Sequence, residues 1–270
     1  MHTADHTLPA LRLFYRVVFA LALLALPVVW FKNTELFWLI NCHRENVTLN
    51  FVFLLLTSLA DGLWVVMIAT VAQSFKPHNL TALIIALIGG NIVLQSGKYL
   101  ADFDRPLRVF GEQAVCLLGQ QLTVRSFPSG HAFSAGLLFM FLRPRKSLLL
   151  AIFWLMLAGA GALSRVYVGV HFPRDVLAGF LIAVVSFKLA ETAARRISFH
   201  ESSLKTRRIA FALFNLGVSC IYLFAYHEKT KELQFLLTPA AWLILVYWAA
   251  VLTRLAIVKQ PRDGTARSGS

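Results

Sequence analysis

Charge is scarce in this chain. Only 14% of its 270 residues are Asp, Glu, Lys or Arg, where soluble domains carry about 25%, and that excludes charge-driven disorder and argues against an ordinary cytosolic domain. Cysteine is scarcer still. Cys42, Cys116 and Cys220 are too few and too scattered for a disulfide scaffold or a thiolate metal site. Cys42 and Cys116 fall on one side of the topology drawn below and are able to pair in an oxidising compartment, but separate thiols are the expectation. Acids are few as well: 13 against 26 Lys and Arg, a formal charge of +13. What the chain has in abundance is apolar surface, 58% of all residues, more than a soluble core can absorb. It needs lipid around it.

Eight apolar runs approach the length of about 18–25 residues that crosses a bilayer core. They lie at roughly 14–31, 51–75, 80–97, 130–142, 147–163, 172–190, 209–226 and 236–257. The first leaves through Trp30-Phe31-Lys32 without a small-residue cleavage site, which predicts an uncleaved anchor and not a secretory signal. The fourth is short; Ser129, Gly130 and His131 supply its first turn, and Arg143 is expected to snorkel at its far end. Asp61, inside the second run, is costly in lipid. A hydrogen-bonded packing residue beside Gly62 is the favoured reading, and pairing with a cation is the alternative. The pattern predicts an all-α integral membrane protein of about eight transmembrane helices. It is organised as a membrane core over 1–208, a C-terminal two-helix hairpin over 209–258, and a polar tail over 259–270.

Basic residues set the orientation. With the N-terminus in the cytoplasm, the inward segments hold most of the Lys and Arg, among them Arg12, Arg16, Arg143, Arg145, Lys188, Arg195 and Arg196, against four acids, Asp5, Glu191, Glu201 and Asp263. The outward segments are nearly balanced. This bias predicts both termini inside, so the net charge reads as topology and not as a nucleic-acid footprint. Lys98, Arg105, Ser129, Gly130, His131, Arg165, His171 and Asp175 then all fall at helix ends on the outer side. Two guanidinium forks and an ammonium match phosphate oxygens, and Ser129 and Gly130 offer a helix N-terminus to an anion. Gly130 has no Cβ to keep a ligand from the backbone. His171 and Asp175, four apart, share a helix face, so the carboxylate is able to hold one ring nitrogen while the other attacks phosphorus. His131 is available to protonate the leaving oxygen.

The runs Lys98-x6-Arg105-Pro106, Pro128-Ser129-Gly130-His131 and Ser164-Arg165-x5-His171-x3-Asp175 resemble the three-part signature of the type-2 phosphatidic acid phosphatase superfamily. That superfamily includes membrane lipid phosphatases and soluble vanadium haloperoxidases; the apolar chain disfavours the latter. The resemblance implies a six-helix core and metal-independent phosphoryl transfer without a cofactor. It assigns His171 as nucleophile, His131 as general acid and base, and Asp175 as the orienter of His171. Lys98, Arg105, Ser129, Gly130 and Arg165 become the phosphate cradle.

Arg174, with Arg108 and Arg125, is a candidate contact to a second phosphate or an acidic headgroup; interfacial lipid is the equal alternative. Asp102 and Asp104 read as solvated loop acids. The expected substrate is a membrane lipid phosphate, with no nucleic acid and no obligate protein partner. Undecaprenyl diphosphate in a bacterial inner membrane is slightly favoured over phosphatidylglycerol phosphate, phosphatidic acid or lipid A phosphates. A phosphotransferase would use the same residues. A non-enzymatic lipid transporter would spread charge through its spans, which this sequence does not.

Overall fold

The computed structural model describes residues 7–42, 45–75, 80–196, 204–226 and 233–257. Asp5, Glu201, Asp263 and the tail 259–270 lie outside them. The described residues form helices and connecting turns, without strands. They are α1 (Pro9–Phe31), α2 (Asn33–Ile40), α3 (Val47–Leu59), α4 (Gly62–Phe75), α5 (Leu80–Ala101), α6 (Pro106–Phe110), α7 (Gly130–Leu142), α8 (Leu148–Tyr167), α9 (Pro173–Arg196), α10 (Leu204–Ile221) and α11 (Gln234–Ile257). The chain divides into two compact units, residues 1–198 with 228–234, and residues 199–227 with 235–270. In the second unit a π-helical stretch, Tyr222–Tyr226, continues α10, and Phe224 meets Trp242 of α11 edge-on.

Among the described residues, five helices are long and apolar enough to cross a membrane, or six if the bent pair α3–α4 is one span. Gly130–Leu142 and Ala212–Ala225 are shorter apolar helices. The run 51–75 is therefore not one straight span. It breaks at Ala60-Asp61, where α3 and α4 diverge by 70°. The cause is local: the Asp61 carboxylate accepts the Leu63 N–H at 2.9 Å while the Asp61 carbonyl accepts Val65 N–H, the pattern of a residue that starts a helix. Hydropathy alone is blind to such a break.

In the first unit α7 is apolar all round, and almost every residue from Ala132 to Phe141 is buried, as a central helix requires. It packs against α9, α8, α4 and α5, while α9 also packs against α5 and α1. The start of α7 lies hard against α9, because a Cβ on Gly179 would run into the Ser129 carbonyl. Arg143 does not snorkel. Its guanidinium donates to the Met140 carbonyl and pairs with Glu191 of α9 at 2.6 Å, closing the far end of the α7–α9 contact.

Cys42 and Cys116 form a disulfide, contrary to the expectation of separate thiols. Asn41 brings them together. Its amide donates to the carbonyls of Cys116 and Tyr167 and accepts the Cys116 N–H, while Cys42 N–H reaches the Tyr167 carbonyl. A maleimide should therefore label one thiol per chain, the exposed Cys220, and three after reduction under denaturing conditions. Three labels without reductant would contradict the pairing.

Candidate active site

The chain delivers its polar residues to one end of the first unit. The loop between α8 and α9 turns tightly, with Val170 N–H and His171 N–H both donating to the Arg165 carbonyl. Pro173 opens α9 at its first position, which suits a residue with no N–H to offer. Asp175, two residues on, reaches back to the Phe172 N–H at 2.9 Å, half of a capping box. The carboxylate thus starts the helix and faces His171 Nδ1, 3.4 Å away. It is fully buried, and Ser126 Oγ donates to the same oxygen.

His171 is 2% exposed. Arg105 Nη1 lies 3.1 Å from its Nε2 and also donates to the Val170 carbonyl at 3.0 Å. A guanidinium has only donors, so Nε2 carries the lone pair and the ring proton sits on Nδ1, toward Asp175. Burial, then the charges of Arg105, Arg165 and Lys98, hold the His171 pKa well below its ordinary value near 6.5, with Ser126 opposing. The ring is neutral at pH 7 with Nε2 toward the cations.

Those cations are prearranged. Arg105 is fixed by Nε to the Val124 carbonyl at 2.8 Å. The Arg125 carbonyl accepts from both Lys98 Nζ at 3.1 Å and Arg105 Nη2 at 3.5 Å, which brings two of the three predicted cations to a single oxygen. Arg165, 8% exposed, is anchored through Nη1 to Thr57 Oγ1 of α3 at 2.7 Å. Ser129 caps α7, its Oγ accepting the Ala132 N–H, and its own N–H donates to the Asp175 carbonyl. The N–H groups of Gly130 and His131 have no acceptor within the helix. A Cβ on Gly130 would meet only Leu94, at 3.9 Å, so protein packing does not itself demand glycine there.

His131 is more open, its side chain 27% exposed, and its Nε2 lies 3.5 Å from Asp61 Oδ2. Asp61 is thus a partner of a site histidine at a helix break, and not only the packing residue expected from the sequence. Ser126, Thr57 and Asn33 were also illegible: none belongs to a motif, and each meets its partner only in the folded chain. Asn33 accepts the Arg174 N–H at 3.0 Å. Arg174 lies among Trp30, Phe103 and Phe172, with Nε 3.7 Å from the second oxygen of Asp175. Arg125 stacks on Tyr99 and Arg108 pairs with Asp104, so Asp104 is an ion-pair partner on the loop, while Asp102 reaches Arg125 at 4.0 Å.

Residues 79–197 match the profile of the PAP2 superfamily. The undecaprenyl-diphosphatase of Sulfolobus acidocaldarius is 32% identical over 155 residues, 56% of this chain and 72% of that protein. The chain belongs to the PAP2 superfamily. A second relative, the bacitracin transport permease protein BcrC of Bacillus licheniformis, is 40% identical over 77 residues, 27% of this chain and 36% of that one. The crystal structure of Aquifex aeolicus LpxE superposes with a TM-score of 0.54 at 29% identity, covering 59% of this chain and 94% of that one. The protein is an integral membrane lipid phosphatase of PAP2 type.

Proposed function

We propose that this phosphatase cleaves a lipid diphosphate, undecaprenyl diphosphate in first place, through a phosphohistidine on His171. The carrying observation is the unprotonated Nε2 of His171, held among cations by Arg105 and backed through Nδ1 by Asp175. The substrate preference rests on the similarity to the undecaprenyl-diphosphatase of Sulfolobus.

The terminal phosphate enters between Lys98, Arg105 and Arg165 and takes the free N–H groups at the start of α7, where the helix dipole favours an anion. With a phosphate oxygen against the backbone, Gly130 has its reason: the occupant, not the protein, needs the space. Nε2 attacks phosphorus in line, the bond to the bridging oxygen breaks, and His131 gives that oxygen a proton. Undecaprenyl phosphate leaves. His131 then takes a proton from water, which attacks the phosphohistidine and releases inorganic phosphate. Asp61 holds the ring of His131 and stabilises its protonated form, the one present before the first step and regenerated by the second. Arg174 steadies Asp175, while Arg125 and Arg108, both half-exposed, meet the remaining headgroup at the rim.

Two features support an extracytoplasmic site in the cytoplasmic membrane, with both termini inside. The disulfide adjoins the His171 loop, and disulfides persist in oxidising compartments. Arg12, Arg143, Arg145, Arg195 and Arg196 gather at the opposite helix ends, as cytoplasmic segments do.

The test is phosphate release by the pure protein from undecaprenyl diphosphate, phosphatidylglycerol phosphate, phosphatidic acid and lipid A phosphates. The diphosphate is expected to turn over fastest, in EDTA as well as without it, and vanadate to inhibit. A faster monophosphate would overturn the substrate assignment, and loss in EDTA restored by added divalent metal would overturn the metal-free mechanism.

A further inference from the structure

A cavity lies at the other end of the same helices. His131 is in the first turn of α7, and Arg143 follows its last residue, about 20 Å away at 1.5 Å per residue. There α1, α7 and α9 enclose a cavity of about 420 Å³, within the range of ligand sites, about 300–1,000 Å³. Its depth is apolar, with Phe19 from α1, Phe139 from α7 and Phe180 from α9. Its mouth is cationic, with Arg12, Arg16, Arg143 and Lys188. Among the described residues one acid stands nearby: Glu191 pairs with both Arg143 and Lys188. The guanidinium groups of Arg12 and Arg16, one helical turn apart on an exposed face, have no hydrogen-bond or ion-pair partner among the described residues. The N-terminal end of α1 is fixed in place by Leu8 N–H to the Arg145 carbonyl and Tyr15 Oη to the Pro144 carbonyl at 2.7 Å, so the groove is a feature of the packed helices.

We propose that this cavity binds an anionic phospholipid, one acyl chain lying in the apolar depth and the phosphate held by Arg12 and Arg16. Two observations select that occupant. The lining joins hydrocarbon to surplus positive charge along one helix face, as basic pockets between transmembrane helices do for acidic headgroups. The cavity also opens from a helix whose outward residues Leu13, Val17 and Leu21 are exposed apolar side chains, so the ligand arrives from the bilayer. A bound lipid straps α1 to α7 and α9, the helices that bear His131 and Asp175 at their other ends.

Thermal unfolding of the full chain in a zwitterionic or uncharged detergent, titrated with dioleoyl-phosphatidylglycerol or dioleoyl-phosphatidylcholine, tests this. The wild type is expected to be stabilised by the glycerol lipid and not by the choline lipid. The double variant Arg12→Gln/Arg16→Gln should match wild type without lipid and bind the anionic lipid about thirtyfold more weakly. Ala22→Trp, which fills the groove and keeps every cation, should lose binding too. Equal stabilisation by both lipids, an unchanged double variant, or the same shift from inorganic phosphate alone would overturn the proposal. The readout involves no turnover and the probe is no phosphate monoester, so its failure leaves the assignment of the reaction untouched.

Discussion

His171→Ala is expected to abolish phosphate release from every lipid substrate, by at least about 10⁴-fold, as loss of a nucleophile does when the rest of a site survives. The variant should still fold. Asp175 keeps Ser126 and the Phe172 N–H, and Arg105 keeps the carbonyls of Val124 and Val170. Turnover above background with a wild-type unfolding profile would remove His171 from the chemistry. The pH profile of the wild type gives the same assignment a second test. Burial and the neighbouring cations disfavour the protonated ring and lower its pKa below 6.5, and the attacking form is the neutral one. The nucleophile therefore stays competent as pH falls from 7 through 6.5, and its acid limb lies below that point. The fold takes up that proton less readily than the unfolded chain, so stability drops as acidity increases beneath pH 6.5. A ring titrating at or above 6.5, followed by its NMR shifts, would contradict the electrostatics of the site.

The second large effect belongs to His131 and Asp61. His131→Ala should cost about 10²–10⁴ in kcat on a lipid diphosphate, the usual share of a general acid–base. With p-nitrophenyl phosphate, whose leaving group needs no proton, the first step survives and the second does not. The expected trace is a burst of one nitrophenolate per site followed by near arrest, with phosphate left on His171. Asp61→Asn is the informative partner, because Asn still starts a helix well and only the charge is lost. It should lower kcat about 10–100-fold and add little in the His131→Ala background, since residues acting through one another are not additive. Wild-type kcat in Asp61→Asn, or full additivity, would reduce Asp61 to a helix cap.

Legibility in the sequence followed distance along the chain. Residues 98–175 display every motif position because helix ends repeat their spacing in the sequence, and a serpentine chain returns alternate ends to one side. The helical membrane class was legible from apolar runs alone. Contacts that depend on closure of the bundle were not. Asp61 and His131 are brought together by a 70° break marked only by Asp61-Gly62 in an otherwise apolar run. Cys42 meets Cys116 across 74 residues because Asn41 happens to bridge both strands of loop. Ser126 resembles any loop serine until its hydroxyl is found on Asp175.

The carbonyl of Arg125 accepts from Lys98 and from Arg105, and so holds two cationic side chains at one oxygen. Two like charges that would otherwise splay apart are parked on a neutral dipole. A phosphate bound as proposed would exchange one oxygen partner for another instead of gathering scattered side chains.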